Sequence, residues 1–192
     1  MVDYLLGLEK EDHSNPSSNK YYKTFSSPIQ RILTAYCQSG GKLLVSGSYI
    51  ASDMNDNQGN RDFTQNILKY SFGGTLRISQ STIQSNTEND KQAKGNGSND
   101  AVTTINGLGR NLTIPNLPNE KTYPVISPDI IQPVGTAFPV MLYATNNQCA
   151  ATAYTGYYRT FVMGFPFESI AQESDRNAVM ASILQFFEQG TK

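Results

Sequence analysis

Residues 26–53 read SSPIQRILTAYCQSGGKLLVSGSYIASD, and the way this stretch folds decides the architecture of the chain. Ile29, Ile32, Leu33, Tyr36 and Cys37 recur at i, i+3, i+4, i+7 and i+8, which places them on one stripe of a helix. Ser27 can cap that helix, and Pro28 suits its first turn, where no backbone donor is needed. Gly40 supplies the left-handed residue that ends it. Lys42 to Val45 then form an apolar run too short for a helix, as expected of a strand covered on both faces. Gly47-Ser48-Tyr49-Ile50-Ala51 is a tight turn leading toward a second helix. Open α/β sheets carry their sites at such strand ends.

Working outward, Val2 to Leu8 reads as a strand and Glu9 to Lys23 as a polar loop around Asn15-Pro16. Asp53 to Asn60 is a second polar loop. Arg61 to Tyr70 has helical spacing, with Phe63, Ile67, Leu68 and Tyr70 inward and Gly73-Gly74 as its stop. A strand is expected from Leu76 toward Ile83. Residues 85–100 hold almost nothing apolar and are expected to be a mobile loop. From Ala101 to Pro139 six prolines, at 115, 118, 124, 128, 133 and 139, argue for edge strands and extended connections rather than helices. Phe138 to Thr145, Ala150 to Tyr154 and Thr160 to Gly164 read as strands. Val179, Met180, Ile183, Leu184 and Phe187 form the stripe of a last helix beginning near Ser174 or Asp175, with Gly190 beyond its end. The expected fold is α/β: a mixed sheet flanked by helices, carrying a β-rich insertion.

The 192 residues suffice for one core, so residues 1–192 are read as a single domain. A strand at residue 2 is read as the start of a fragment of a larger protein. Net charge is -1 and only 16% of residues are charged, which argues against a nucleic-acid or anionic-membrane surface. No segment is long and apolar enough to span a membrane, and the opening residues read as a strand rather than a signal peptide. Cys37 on the helix stripe and Cys149 at a strand start are expected as two separate buried thiols, although their separation neither supports nor excludes a bond. Asn96-Gly97-Ser98 and Asn111-Leu112-Thr113 fit a glycosylation acceptor pattern. The segment Asp53–Gly59 resembles a calcium loop in composition, but its glycine sits at the seventh place and Thr64 at the twelfth. No metal site and no cofactor is expected: Gly107-Leu108-Gly109 lacks the third glycine of a dinucleotide turn. Tyr154, Tyr157, Tyr158 and Phe161 offer a stacking surface for sugars, or ordinary sheet packing.

Residues 33–53, LTAYCQSGGKLLVSGSYIASD, followed by residues 158–170, YRTFVMGFPFESI, resemble bacterial secreted proteins labelled xanthan lyases, which are associated with golvesin-type modules. Their domain is similar to the class I glutamine amidotransferase fold, a flavodoxin-like α/β sandwich. The resemblance implies a secreted, periplasmic or cell-surface setting, a polysaccharide as partner and neighbouring domains on a longer chain. Amidotransferases carry Gly-x-Cys-x-Gly at the turn, with a cysteine thiolate as nucleophile. Here Tyr49 holds that position and Ala51 replaces the second glycine. Their later Phe-His-Pro-Glu corresponds to Phe165-Pro166-Phe167-Glu168, without the histidine base. The one histidine of the chain is His13, in a polar loop. A tyrosine with an ordinary pKa of about 10 is no thiolate at neutral pH. Glutamine hydrolysis is therefore not expected.

Two readings follow. In the first, the domain is non-catalytic and binds or positions glycan or neighbouring modules. In the second, Tyr49, Asp53 and Glu168 act on a polysaccharide, as a carboxylate pair in a glycosidase or with Tyr49 as base in a lyase. Ser48, Ser52 and Phe165 would then line the site, with Arg159 or Arg61 neutralising a uronate. Against that stands a plainer role: Asp53 opens a loop, and Glu168 caps the segment before the last helix.

Overall fold

The computed structural model describes residues 1–10, 23–76 and 102–189. Its core is a seven-stranded mixed sheet. The strands are β1 (Val2–Gly7), β2 (Lys42–Gly47), β4 (Val102–Gly107), β5 (Arg110–Pro115), β7 (Phe138–Tyr143), β8 (Cys149–Thr155) and β9 (Arg159–Met163), in the order β1-β2-β9-β8-β7-β4-β5. Strands β1, β2 and β9 run parallel, and every pairing from β9 outward to β5 is antiparallel. A second sheet pairs β3 (Tyr70–Thr75) with β6 (Asp129–Pro133). The β-rich middle is thus not set apart, because β4, β5 and β7 extend the same main sheet.

Helices cover both faces of the parallel strands. On one face lies α1 (Ser27–Gln38), whose Leu33 and Cys37 pack with Leu43, Val45 and Val162. The short α2 (Gln58–Phe63) and a π turn (Thr64–Leu68) add Phe63 and Leu68 to this layer. On the other face lies α3 (Glu173–Glu188), whose Val179, Ile183 and Phe187 pack with Leu44, Phe161 and Met163. Leu43, Leu44 and Val45 of β2 are all fully buried because the strand is covered from both sides.

Several local expectations shift. The first helix is capped from Ser26, without a side-chain bond, and Ser27 is already helical. Its stripe is narrower than the spacing predicts, since Ile32 is 63% exposed. Gly40 closes it at φ 85°. The helix read over Arg61 to Tyr70 begins earlier, at Gln58, and ends in the π turn. Tyr70 belongs to β3, and Gly73-Gly74 lie inside that strand instead of stopping a helix. A Cβ on Gly73 would meet Gln132 and Ile130 at 3.0–3.1 Å, so pairing with β6 selects the glycine. The strand read beyond Leu76, the loop 85–100, His13, the acceptor at Asn96 and Gly190 lie outside the described residues. No described helix is long and apolar enough to cross a membrane.

Candidate functional site

Parallel pairing brings the carboxyl ends of β1, β2 and β9 together, and the turn after β2 stands there. Ser48 N–H donates to the Gly7 carbonyl at 2.9 Å, tying the turn to the end of β1. Phe167 N–H reaches Ser46 Oγ at 3.3 Å, tying the segment after β9 to the end of β2. A Cβ on Gly47 would lie 2.9 Å from Leu6 Cβ and 3.0 Å from Ile50 Cγ2, which explains a glycine at the bend. Residues 49–54 then wind into one helix-like turn, with Asp53 N–H donating to the Tyr49 carbonyl at 3.2 Å. Tyr49 is half-buried at this elbow, with Lys10 Nζ 4.6 Å above its ring.

The elbow is held from beneath by Asp129, the first residue of β6. Its Oδ2 accepts from Ala51 N–H at 2.7 Å, from Ser52 N–H at 2.8 Å and from Ser52 Oγ at 3.1 Å. Asp129 is fully buried. Burial pushes its carboxyl up to about 7 against these three donors, and the Asp53 charge adds to the rise. Tyr70 Oη donates to the Ile50 carbonyl at 2.7 Å and fixes the same turn from β3.

Beside the elbow, across Gly7, lies a second group. Tyr123 Oη donates to Glu168 Oε1 at 2.5 Å, and a Cβ on Gly7 would lie 3.0 Å from that hydroxyl and 3.2 Å from that carboxylate. Glu168 sits in a 3-10 turn (Phe167–Ser169) just past β9, and its Oε2 is buried with no hydrogen-bond partner. Burial and the carboxylate beside it push the Tyr123 hydroxyl well above the usual phenol range. Burial, then the Glu168 charge, also raises Asp3 on β1.

The remaining candidates are dispersed. Asp53 points away toward the entrance of α1, where its Oδ2 accepts from Thr24 N–H at 2.8 Å and Thr24 Oγ1 at 2.7 Å. Lys23 Nζ lies 3.7 Å from its other oxygen. Its partners and those of Glu168 form separate sets, so no described contact joins the two carboxylates. Ser52 is engaged by Asp129, and Ser48 is fully buried with an unpartnered Oγ. Phe165 is a core residue against Tyr143, not a wall open to ligand. Arg159 pairs with Lys42 at the amino end of β9, the far end of the sheet from the elbow, where it donates to the Phe186 carbonyl and covers that ring. Arg61 braces its own loop through the Asn55 carbonyl at 2.9 Å. Parallel register therefore keeps Arg159 from meeting Tyr49.

In the calcium-like loop, Asp56 is bound by Lys23 Nζ at 2.8 Å and by Asn60 Nδ2 at 2.7 Å. Burial opposes its charge, but the Lys23 ammonium and the Asn60 amide hold it down at about 2. No group of three potential metal ligands occurs among the described residues. Phe161 is buried, Tyr158 Oη lies 2.9 Å from the Ile67 carbonyl, and Tyr157 alone of the four rings is 77% exposed. Cys37 and Cys149 are free and buried, and burial raises both thiols to about 11. An open groove of 540 Å3 runs along α1 and α2, lined by Gln30, Arg31, Gln38, Asp62 and Asn66 among others, and shares no residue with the elbow.

Asp129 and Tyr123 are the residues that reading the sequence missed. An acid opening an apolar run, Asp129-Ile130-Ile131, is the only local trace of the first.

No protein-family model matches the sequence, and no curated protein matches it. Among solved structures, the chain is similar to part of Gan42B, a GH42 beta-galactosidase from G. stearothermophilus, and to the mmIFT52 N-terminal domain. The first has 12% identity and a TM-score of 0.52, over 84% of this chain and 20% of that one. The second has 16% identity and a TM-score of 0.50, over 88% of this chain and 74% of that one. The chain thus spans about a fifth of the beta-galactosidase. At these identities the likeness establishes a shared mixed α/β fold and nothing finer.

Proposed function

We propose that this chain is a non-catalytic, amidotransferase-like domain of the flavodoxin-like type, binding or positioning polysaccharide, or the neighbouring modules of a secreted or surface protein of the xanthan lyase-labelled group. One observation carries the reading. Backbone amides at a strand-end elbow serve a reaction when they are free to meet developing negative charge. Here the amides of Ala51 and Ser52 are already filled by Asp129. The hydroxyl of Ser52 and the carboxylate of Asp53 are likewise committed to internal partners. Support for the amidotransferase-like type comes from three parallel strands with helices on both faces and an elbow at the end of β2. Support for the carbohydrate setting comes from a similar fold forming part of a beta-galactosidase.

The competing enzymatic reading, with Tyr49, Asp53 and Glu168 as its groups, is favoured by one feature: the orphaned Oε2 of Glu168 beside a hydroxyl donor. Binding is tested on an array of acidic and neutral polysaccharides. Retention without change in the glycan is expected. Retention of none, together with a stable complex with flanking modules, reassigns the domain to protein–protein positioning.

A further inference from the structure

Asp129 joins three parts of the molecule. Its N–H donates to the Gly164 carbonyl at 2.8 Å, at the end of β9. Its carbonyl accepts from Tyr143 Oη of β7 at 2.9 Å. Its side chain carries the elbow, yet all three donors converge on Oδ2, and Oδ1 is buried with no partner. No lysine or arginine forms an ion pair with it among the described residues. The titratable groups facing it are Asp53 from the elbow, Tyr70 from β3 and Tyr143 from β7, with Cys149 of β8 next to Tyr143. None of these is a cation, so a negative charge at Asp129 is offset by amide and hydroxyl dipoles alone.

We propose that Asp129 is a proton-gated latch: with its proton the buried carboxyl keeps residues 49–54 closed, and on losing it the elbow opens more often. The reason is solvation. In the closed turn three donors meet Oδ2, but burial outweighs them and Oδ1 is cut off from water, whereas an opened turn hydrates both oxygens. Ionisation therefore favours opening, and local opening of this kind needs far less than global unfolding. The carboxyl's rise to about 7 puts the change between the pH at which an open, hydrated aspartate titrates, about 4, and neutrality. Tyr49 rides on this turn, so the latch sets how often its backbone opens to solvent.

Amide hydrogen exchange of the whole chain tests this, with rates corrected for intrinsic base catalysis. Protection of Ala51 and Ser52 is expected to fall by up to about tenfold per pH unit between pH 5 and 7 and to level off above. In Asp129→Asn it stays flat. A flat wild-type profile, or the same slope in Asp129→Asn, overturns the latch. Should Asp129→Asn fail to fold, the wild-type carboxyl carbon is titrated by NMR. A midpoint near 7 with matching shifts at the Ala51 and Ser52 amides sustains the proposal, and a midpoint near 4 overturns it.

Discussion

Gly7 shows how one missing Cβ arranges a site. It takes φ 52° at the end of β1, and both Tyr123 Oη and Glu168 Oε1 approach within 3.2 Å of where a Cβ would stand. Gly7→Ala therefore suffers twice, from the left-handed backbone and from the crowded pair, and is expected to lose about 1–3 kcal/mol of stability in urea titrations. Gly109→Ala is the control. Its φ is 72° but nothing lies within 4 Å, so only the backbone cost of about 1 kcal/mol should appear. Equal losses at the two positions would mean that Gly7 is conformational only. At the same scale, Tyr123→Phe removes a half-buried hydrogen bond to Glu168 and should cost about 1 kcal/mol. The midpoint of Asp3, raised in part by Glu168, should respond in an NMR titration if the carboxylate moves.

Among the elements, α3 makes the sharpest forecast. Ile183 is fully buried against the sheet, while its neighbour Leu184 is 42% exposed. Ile183→Ala should cost about 2–5 kcal/mol, and Leu184→Ala under about 0.5 kcal/mol, by chemical denaturation. Similar losses would show that the helix faces the sheet differently. Helix stripes and the apolar strands β2 and β9 were legible in the sequence because their period is local and their burial is continuous. Tyr70 was not. Its spacing from Phe63 and Ile67 fits a helix, but pairing with Pro133 across 63 positions draws it into β3. The same limit hid Asp129, whose contacts with Ala51 and Ser52 span 78 and 77 residues. Tyr49 at a strand's end was readable from the turn, whereas the dispersal of Asp53, Glu168 and Arg159 depends on strand order and register, which no local pattern encodes.

For the whole molecule, two carboxyls give opposite pH dependence. Asp129, raised in the folded state, binds its proton more tightly folded than unfolded. Its contribution is thus fully present below about pH 4 and is lost as pH rises through 7, by up to about 4 kcal/mol for a three-unit rise. Asp56, lowered to about 2, contributes above about pH 4 and loses that contribution as pH falls through 2. The difference in unfolding free energy between wild type and Asp129→Asn should therefore shift steadily in favour of Asn between pH 4 and 7 and then hold constant. A pH-independent difference would assign Asp129 an ordinary carboxylate pKa in the fold.

At the same scale, the turn after β2 stands at the carboxyl ends of the parallel strands, and the chain fills that turn with its own aspartate. The direct test is to incubate the protein with acidic and neutral polysaccharides and measure new reducing ends and unsaturated products. No turnover by the wild-type protein is expected, above the level of Tyr49→Phe. Turnover that disappears in Tyr49→Phe or Asp53→Asn would contradict the account and make the elbow an active site.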